Sequence, residues 1–331
     1  MKIIYSETTA PQINLAREEY FLVNGTDEYF LVWQNKPAVI IGISQNTLKE
    51  INTEIAEKDG IETVRRITGG GAVYHDFGNV NFTFIRKKES EFADFEVFCR
   101  LIIDFLKTLG INAEMSSRND MTIDGKKFSG NAQSVKKTRI LHHGTLLFDS
   151  DLSALSKVLN VKKEKIESKG VNSVVSRVTN ILPHLKEKMT TAGFIKKLVD
   201  YSVEYLGGEM YKETDAEKEE ILKLKSERYD TKEWNFSNNP PYTFENEIYS
   251  TCGSVECFVK AEKGVIKNVK IFGDFFGERD VKELEEKLAG ISHTRKSLEE
   301  AFCEINLDEY IKNIKTEEFL KLLLQNGVDG Q

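Results

Sequence analysis

The hydrophobic and polar positions in the first part of the chain alternate between the spacing of helices and that of strands. Apolar residues recur at helical spacing over 14–23, and this pattern ends at Gly25. Strands are predicted over 29–34 and 38–44. The second is apolar almost throughout, which is typical of a strand buried on both faces. A helix is then predicted over 48–58.

Strict alternation marks the next strand, over 80–85. Its apolar residues face one side and its polar residues the other, as the two-residue period of a strand requires. A strongly amphipathic helix follows over 93–109, and Cys99 is in line with its apolar positions, which predicts that Cys99 lies in the core. Asp124-Gly125 is a favoured pair for a two-residue hairpin turn, and a strand over 139–148 follows.

The middle of the chain is predicted to be helical as far as residue 229, with breaks at 170–183 and 207–208. Asn, Ser and two prolines cluster in 234–244, which indicates a domain boundary. Beyond this boundary, short alternating segments over 248–276 predict a small sheet, and several short helices complete the chain.

Length and composition are those of an ordinary globular protein with two domains. The chain has 331 residues, of which 40% are hydrophobic and 30% charged. Its net charge of −7 argues against a general binder of nucleic acid or anionic membranes. No membrane span or signal peptide is predicted, so a reducing cytoplasm is the expected location. The four cysteines include one C-x4-C pair, which does not predict a zinc site.

Three consecutive glycines stand out in RRITGGGAVYHD, over 65–76. They are not a Walker A loop, because no Lys-Ser/Thr follows them, and their spacing does not match the G-x-G-x-x-G dinucleotide fingerprint. Glycines permit positive φ and let backbone N–H groups converge on an anion. A ligand-binding backbone segment is therefore one interpretation, and a tight bend between strands is the other.

Two further segments contain candidate chemistry. In 119–133, two lysines follow a tight turn and precede a Ser-Gly pair, and a lysine held there could contact an acyl oxygen and a phosphate oxygen together. A hairpin with solvent-facing lysines would explain the same residues. In HHGT, the adjacent His142 and His143 point to opposite faces of a strand, so at most one of them lines a given pocket.

Taken in order, these segments closely resemble the lipoate–protein ligases. The matching stretches are INLAREE, IIGISQN, RRITGGGAVYHDFGNVNFTF, RNDMTIDGKKFSGNAQ, HHGTLLFDSDL and GVNSVVSRVTN. The resemblance spans 1–185 and extends more loosely to the end of the chain. It implies an α/β (α+β) fold with a mixed β-sheet flanked by helices, of the biotin/lipoate ligase type, over 1–243. A small α+β accessory domain is implied over 244–331.

The resemblance also implies an activity. Enzymes of this family join free lipoate to a lysine of a lipoyl domain through a lipoyl-AMP intermediate, with ATP as co-substrate and Mg²⁺ as activator. No tightly bound prosthetic group is implied. The implied partners are lipoyl domains of 2-oxo acid dehydrogenase E2 subunits and the glycine-cleavage H protein, with no role for nucleic acid or a membrane.

Site residues are carried over by their position in the motifs. Lys127, directly before Phe-Ser-Gly, is implied to be catalytic, although the neighbouring Lys126 leaves the register open by one residue. Asp120 is implied to contact Mg²⁺, and the loop over 170–180 to close over the intermediate. The implied ATP- or adenylate-binding residues are Arg66, Gly71, Ala72, Val73, Tyr74, Asn119, Asp120 and Lys127. The implied lipoate-binding residues are Arg66, Gly70, Gly71, His75 and Lys127.

Two alternative functions remain open on the sequence alone. Octanoyl- and lipoyl-transferases of the same fold family act through a cysteine thioester without ATP. Before residue 250 the chain contains only Cys99, whose helical position argues against that role. A non-catalytic lipoate-binding regulator would keep the pocket without the reaction. Lipoate-dependent exchange of pyrophosphate into ATP would distinguish these possibilities.

Overall fold

The computed structural model describes residues 1–51, 53–88, 95–116, 119–158, 177–236, 244–262 and 264–324. The chain divides into two compact units. The first contains 1–41, 48–66 and 73–235, and the second contains 42–47, 67–72 and 236–331. The predicted domain boundary between residues 243 and 244 borders the undescribed range 237–243, and it stays a prediction.

The elements up to residue 150 follow the predicted alternation of strands and helices. The described residues from there to 236 are mostly helical, as predicted, apart from one short strand at 209–210. The strands are β1 (Lys2–Tyr5), β2 (Tyr29–Trp33), β3 (Ala38–Ile41), β4 (Glu62–Arg65), β5 (Val73–His75), β6 (Asn79–Lys87), β7 (Ala113–Met115), β8 (Asp120–Ile123), β9 (Lys126–Lys136), β10 (Arg139–Leu147) and β11 (Glu209–Met210). The α-helices are α1 (Pro11–Asn24), α2 (Thr47–Glu50), α3 (Thr53–Lys58), α4 (Phe95–Thr108), α5 (Ala154–Val158), α6 (Thr191–Leu206), α7 (Asp215–Leu224) and α8 (Lys232–Phe236). A 3₁₀ turn (Leu182–His184) and a π-helical turn (Lys225–Tyr229) complete the set.

The first unit is built on an eight-stranded mixed sheet with the order β11-β1-β2-β6-β10-β9-β8-β7. Strands β11, β1 and β2 run parallel, and the remaining pairs are antiparallel. A second sheet has the order β4-β3-β5, and every residue of its central strand β3 is buried, as predicted. The prediction of a mixed sheet flanked by helices is confirmed.

The two faces of the large sheet are both covered, but they differ in chemistry. On one face, the apolar residues of β6 pack with α4 and α6 in a hydrophobic core that includes Phe82, Phe98 and Phe194. Cys99 belongs to this core and is fully buried, as predicted. On the other face, the polar residues of β6 lie beneath α1, where the Thr83 hydroxyl donates to Glu18. This second face holds the candidate site.

One local prediction is wrong and another is confirmed. The single helix predicted over 48–58 is instead two short helices, α2 and α3. Residues 52 and 53 are Asn and Thr, types that favour helix starts over helix interiors because their side chains compete for backbone hydrogen bonds. The hairpin is confirmed: Asp124 and Gly125 both adopt positive φ, 52° and 73°, as a tight two-residue turn requires.

The second unit is a small α+β structure. Strands β12 (Phe244–Ser250), β13 (Gly253–Glu262) and β14 (Val265–Gly273) form an antiparallel sheet, as predicted for this part of the chain. Helices α9 (Val281–Leu288), α10 (Arg295–Phe302) and α11 (Thr316–Leu323), with a 3₁₀ turn (Leu307–Glu309), accompany it. Leu284, Leu298 and Phe319 of these helices share one hydrophobic core with the sheet. No described helix is long and apolar enough to cross a membrane.

Candidate active site

Lys127 lies near the start of β9, directly after the hairpin turn. Its Nζ is 2.8 Å from Oδ1 of Asp120 on the neighbouring strand β8. Gly130 leaves room for this side chain, because a Cβ there would lie 3.0 Å from the Lys127 Nζ. Lys126 is exposed, whereas Lys127 is half-buried. The structure therefore places Lys127, and not Lys126, over the sheet beside a carboxylate.

The backbone of Lys127 is held by a second segment of the chain. Its N–H donates to the carbonyl of Arg177 and its carbonyl accepts from the N–H of Thr179, both at 2.8 Å. Val178 thereby pairs with Lys127 as a parallel bridge. The last residues of the predicted closing loop thus fix Lys127, while 170–176 lie outside the described residues.

A buried polar cluster lies on the same face of the sheet, beneath α1. Glu18 is 1% exposed, and it accepts from the Thr83 hydroxyl at 2.5 Å and contacts His143 Nδ1 at 3.0 Å. The indole N–H of Trp33 donates to the Thr83 hydroxyl at 2.9 Å. Thr145 faces the same side of β10 as His143 and accepts from the N–H of Gly130 at 3.3 Å. The cluster therefore continues along the sheet toward Lys127 and Asp120.

Arg66 adds a buried positive charge to this cluster. It is 5% exposed, and its NH1 donates to the carbonyl of Ile40 at 3.0 Å. Burial lowers the pKa of Arg66 to about 10, and the negative charge of Glu18 opposes that shift, so the guanidinium is charged near neutral pH. The adjacent Arg65 has a structural role, because its Nε donates to the carbonyl of Trp234 at 2.8 Å.

The three residues of β5 are all predicted site residues. His75 is 2% exposed and contacts Asn35, while Val73 and Tyr74 are half-buried. Burial, with the positive charge of Arg66 and the nearby His143, lowers the pKa of His75 to about 3. Burial and nearby carboxylates raise the pKa of Tyr74. His75 is thus a neutral imidazole in the same electrostatic cluster as Arg66.

The glycine triplet belongs to the second compact unit, and its three members differ. A Cβ on Gly69 would lie 2.6 Å from the carbonyl of Phe275, so this glycine permits close backbone packing. Gly70 has a φ of 89°, which favours glycine, and its N–H donates to the same carbonyl at 3.3 Å. Gly71 is exposed, and a Cβ there would meet no described atom within 4 Å. Close packing therefore explains Gly69 and the backbone conformation explains Gly70, whereas neither explains Gly71.

The structure brings some of the predicted site residues together. Arg66 and His75 lie in the cluster around Glu18, and Asp120 and Lys127 form an ion pair on the same sheet face. The side-chain amide of Asn119 donates to the backbone carbonyl of Asn131 at 2.7 Å, which ties it to β9. Gly70, Gly71 and Ala72 belong to the second unit and are described there alone.

The two adjacent histidines have different surroundings, as the alternation of a strand predicts. His143 contacts Glu18, whereas His142 lies in the hydrophobic core, stacked on Phe98 with ring centroids 4.7 Å apart. Burial holds the pKa of His142 well below its usual value. Cys99 Sγ lies 3.7 Å from His142 Nε2, so it faces the core and not the polar cluster.

Comparison with known proteins identifies the family of this chain. Residues 10–202 match the family described as the lipoyl protein ligase A/B catalytic domain, and residues 239–323 match the bacterial lipoate protein ligase C-terminus. The chain is 43% identical over 319 residues to the lipoate-protein ligase LplJ of Bacillus subtilis, covering 95% of this chain and 96% of that protein. The chain belongs to the lipoate–protein ligase family.

Solved structures of lipoate–protein ligases share this fold. P. falciparum LipL1 in complex with lipoate aligns with a TM-score of 0.78 at 25% identity, over 96% of both chains. A bipartite lipoate protein ligase of Thermoplasma acidophilum, studied with its E2 lipoyl domain, aligns with a TM-score of 0.63 at 29% identity, over 73% of this chain and 98% of that one. A lipoate-protein ligase A bound with ATP aligns with a TM-score of 0.60 at 27% identity, over 71% and 98%.

Sequence reasoning missed several polar residues of this candidate site. Asn14, Arg17 and Glu18 of α1 are all buried, although the helix was recognised by its apolar residues. Their spacing of three and four places them on one helical face, which is the signal that could have indicated a buried polar stripe. Asn35 and Thr83 gave no such signal.

Gly144 lies on β10 directly before Thr145, and this position should not tolerate a side chain. A Cβ there would lie 2.2 Å from Asn131 Oδ1 and 2.5 Å from the Phe82 ring. We expect Gly144→Ala to lower the free energy of unfolding by about 2–3 kcal/mol, measured by urea denaturation. Gly193→Ala in α6 is the matched control, because its Cβ would meet Thr190 Oγ1 at an ordinary 3.4 Å. Equal stability of the two variants would contradict the tight packing at Gly144.

Proposed function

We propose that this protein joins free lipoate to a lysine of lipoyl domains in two steps: ATP-dependent formation of lipoyl-AMP, and then transfer of the lipoyl group to the lysine. It belongs to the lipoate–protein ligase family over nearly its whole length. The structural observation that carries the proposal is the placement of Lys127, whose ammonium group lies beside Asp120 on the face that also bears the Arg66 cluster. Two cations thus lie on the sheet face where we propose that the anionic groups meet.

The first step joins two anions. An oxygen of the lipoate carboxylate attacks the α-phosphorus of ATP, a new P–O bond forms, and pyrophosphate leaves with the electrons of the broken bond. Repulsion between the carboxylate and the phosphates opposes this attack, and fixed positive charges offset it. We assign this role to Arg66 and Lys127. No protein nucleophile is needed.

The second step transfers the acyl group. The neutral amine of the acceptor lysine attacks the carbonyl carbon of lipoyl-AMP and forms the amide C–N bond. AMP leaves with the electrons of the broken C–O bond, and the proton of the amine passes to solvent. Lys127 can stabilise the negative charge that develops on the carbonyl oxygen, because an ammonium group donates strong charge-assisted hydrogen bonds. His75 is assigned to the lipoate site, where its neutral ring contacts the acyl group.

The glycine triplet and β5 are assigned to the ligands as well. Gly70 and Gly71 are proposed to contact lipoate, and Gly71, Ala72, Val73 and Tyr74 to contact ATP or the adenylate. The open space that a Cβ would occupy at Gly71 supports this assignment, because a residue without a Cβ lets a ligand lie close to the backbone. Asn119 and Asp120 complete the proposed adenylate contacts.

The magnesium ion is proposed to arrive with ATP as part of the co-substrate. Among the described residues there is no group of three or more His, Cys, Asp or Glu side chains that could hold a metal. Mg²⁺ commonly uses one or two carboxylates together with phosphates and water, and Asp120 can supply one carboxylate. The side chains present thus fit an ion held mainly by the nucleotide. In that position the ion would neutralise phosphate charge.

Acceptor proteins follow from the proposed reaction. We propose lipoyl domains of 2-oxo acid dehydrogenase E2 subunits, the glycine-cleavage H protein, or both. A relative with the same fold is described together with an E2 lipoyl domain. The cytoplasm is the proposed location, because the reaction consumes ATP.

Exchange of labelled pyrophosphate into ATP tests the proposed function. We expect exchange that requires lipoate, because only reversible formation of lipoyl-AMP returns pyrophosphate to ATP. Cys99→Ala should leave the exchange rate essentially unchanged, since Cys99 faces the hydrophobic core. Absence of exchange would refute the ligase. Acyl transfer without ATP that is lost in Cys99→Ala would instead indicate a cysteine-dependent transferase.

A further inference from the structure

His75 has one ring nitrogen that is buried without a hydrogen-bond partner. The side chain is 2% exposed, and its Nδ1 lies 3.0 Å from Nδ2 of Asn35. Within the part of the chain that the structure describes, its Nε2 has no donor or acceptor in reach. An unsatisfied buried polar group destabilises a folded protein, so its presence calls for an explanation such as a ligand contact.

The position of the proton on His75 can be deduced from Arg17. Two side-chain amides, those of Asn14 and Asn35, connect Arg17 to the His75 ring. Arg17 NH1 lies 2.7 Å from Oδ1 of Asn14. A guanidinium group has only donors, so this Asn14 atom must be the amide oxygen. Asn14 Nδ2 accordingly faces only acceptors: the carbonyls of Thr8 and Gln34 at 3.1 Å and, nearer, Asn35 Oδ1 at 2.9 Å. Its two hydrogens are shared among these three oxygens. Contacts at both ends therefore fix the orientation of the Asn14 amide.

The same reasoning extends through Asn35 to the imidazole. Asn14 Nδ2 lies 2.9 Å from Asn35 Oδ1, which leaves Asn35 Nδ2 facing His75. An amide NH₂ group can only donate, so His75 Nδ1 accepts. Burial, together with the charge of Arg66, lowers the pKa of His75 to about 3, so the ring is neutral near neutral pH. A neutral imidazole whose Nδ1 accepts carries its proton on Nε2.

We propose that Arg17, Asn14 and Asn35 form a relay that holds His75 as an Nε2–H donor to an oxygen of the acyl substrate. That oxygen belongs first to the carboxylate of lipoate and then to the carbonyl of lipoyl-AMP. The inference rests on the assignment of His75 to the lipoate site in the proposed function. Asn14 and Asn35 act as positioning residues, since they orient His75 and do not touch the substrate.

The neutral ring with its proton on Nε2 suits an acyl oxygen better than the other two states of the imidazole. The opposite tautomer would direct a lone pair at the carboxylate and repel it. An imidazolium would place a second buried positive charge near Arg66, which desolvation and like-charge repulsion both oppose. A neutral N–H provides directional binding without that cost, and the bound oxygen satisfies the buried nitrogen.

Nitrogen NMR of the full-length protein with isotope-labelled histidine tests the relay. We expect His75 to be protonated on Nε2 and unprotonated on Nδ1. In Asn35→Asp, the carboxylate can only accept, so His75 Nδ1 should become protonated. Gln34→Glu is the matched control, the same change at the preceding, half-buried residue, and it should leave the His75 signals unchanged. A wild-type ring protonated on Nδ1, or an Asn35→Asp ring whose Nδ1 stays unprotonated, overturns the relay.

Lipoate added without ATP tests the donor itself. We expect the Nε2–H proton signal of His75 to shift downfield when lipoate binds. His75→Leu should raise the KM for lipoate about tenfold or more, which is the usual effect of removing one partner of a buried hydrogen bond. His75→Gln can place an amide N–H near the same point, so it should recover much of the loss.

These outcomes distinguish a failure of the relay from a failure of the proposed function. If the wild-type protein shows no lipoate-dependent pyrophosphate exchange, the proposed function fails, and the Asn35→Asp spectra still decide whether the relay exists. If exchange occurs, an Nε2–H signal that lipoate does not change and a normal KM in His75→Leu overturn the role as donor. If a trapped water molecule and not the substrate binds Nε2, lipoate should leave the Nε2–H signal unchanged and His75→Leu should have a normal KM.

Discussion

Replacing Lys127 with alanine should lower the rate of lipoate-dependent pyrophosphate exchange by a factor of about 10²–10³, the usual cost of removing one group that stabilises developing charge. The side chain takes no part in the backbone pairing of Lys127 with Arg177 and Thr179, so the local fold should persist. Its ion pair with Asp120 is partly exposed, and such pairs contribute only ~0–1 kcal/mol to stability. The loss should therefore appear in catalysis and not in the unfolding curve.

Lys126→Ala is the matched control for this experiment. Lys126 is the neighbouring residue on β9, it is exposed, and a strand directs adjacent side chains to opposite faces. Its exchange rate should stay near that of the wild type. Acyl transfer from preformed lipoyl-AMP to a lipoyl domain should also slow in Lys127→Ala alone. The reverse pattern, in which Lys126→Ala loses exchange and Lys127→Ala keeps it, would show that the carry-over of the motif is wrong by one residue.

The elements around Lys127 could be predicted because each depends on residues close together in the sequence. Asp124 and Gly125 adopt the positive φ angles that their residue types favour, which fixes the hairpin between β8 and β9. The alternation over 80–85 likewise gave β6 and both of its faces. The prediction of one continuous helix over 48–58 was wrong, because the spacing of apolar residues takes no account of residue types that interrupt a helix.

The polar cluster could not be predicted from the same patterns. Glu18 contacts Thr83 and His143, which are 65 and 125 residues away in the chain. A buried polar residue is tolerated only when such partners meet it, and distant pairing leaves no periodic signal. The glycine triplet shows a related limit. The three consecutive glycines stood out in the sequence, but only the structure separates close packing at Gly69 from open space at Gly71.

Replacing Arg66 with methionine should strongly lower the rate of pyrophosphate exchange and also destabilise the protein. Arg66 and Glu18 are both buried, and the charge of Glu18 acts on the guanidinium. Without Arg66, the Glu18 carboxylate loses nearby positive charge in a site with little water. We expect the free energy of unfolding to fall by about 3 kcal/mol, the lower end of the cost of breaking a buried charge pair. Exchange should fall by about 10²–10³ as the first cation of the adenylation step is lost.

The double variant Arg66→Met/Glu18→Gln separates these two effects. A neutral amide at residue 18 removes the uncompensated charge, and its oxygen can still accept from the Thr83 hydroxyl. We expect it to recover roughly 1–2 kcal/mol of stability relative to Arg66→Met, measured by urea unfolding of all four proteins of the cycle. Exchange should remain low, because no substitution restores a positive charge for the carboxylate and phosphates. Recovery of exchange together with stability would mean that Arg66 serves the fold around Glu18, and Lys127 would then be left as the cation of the reaction.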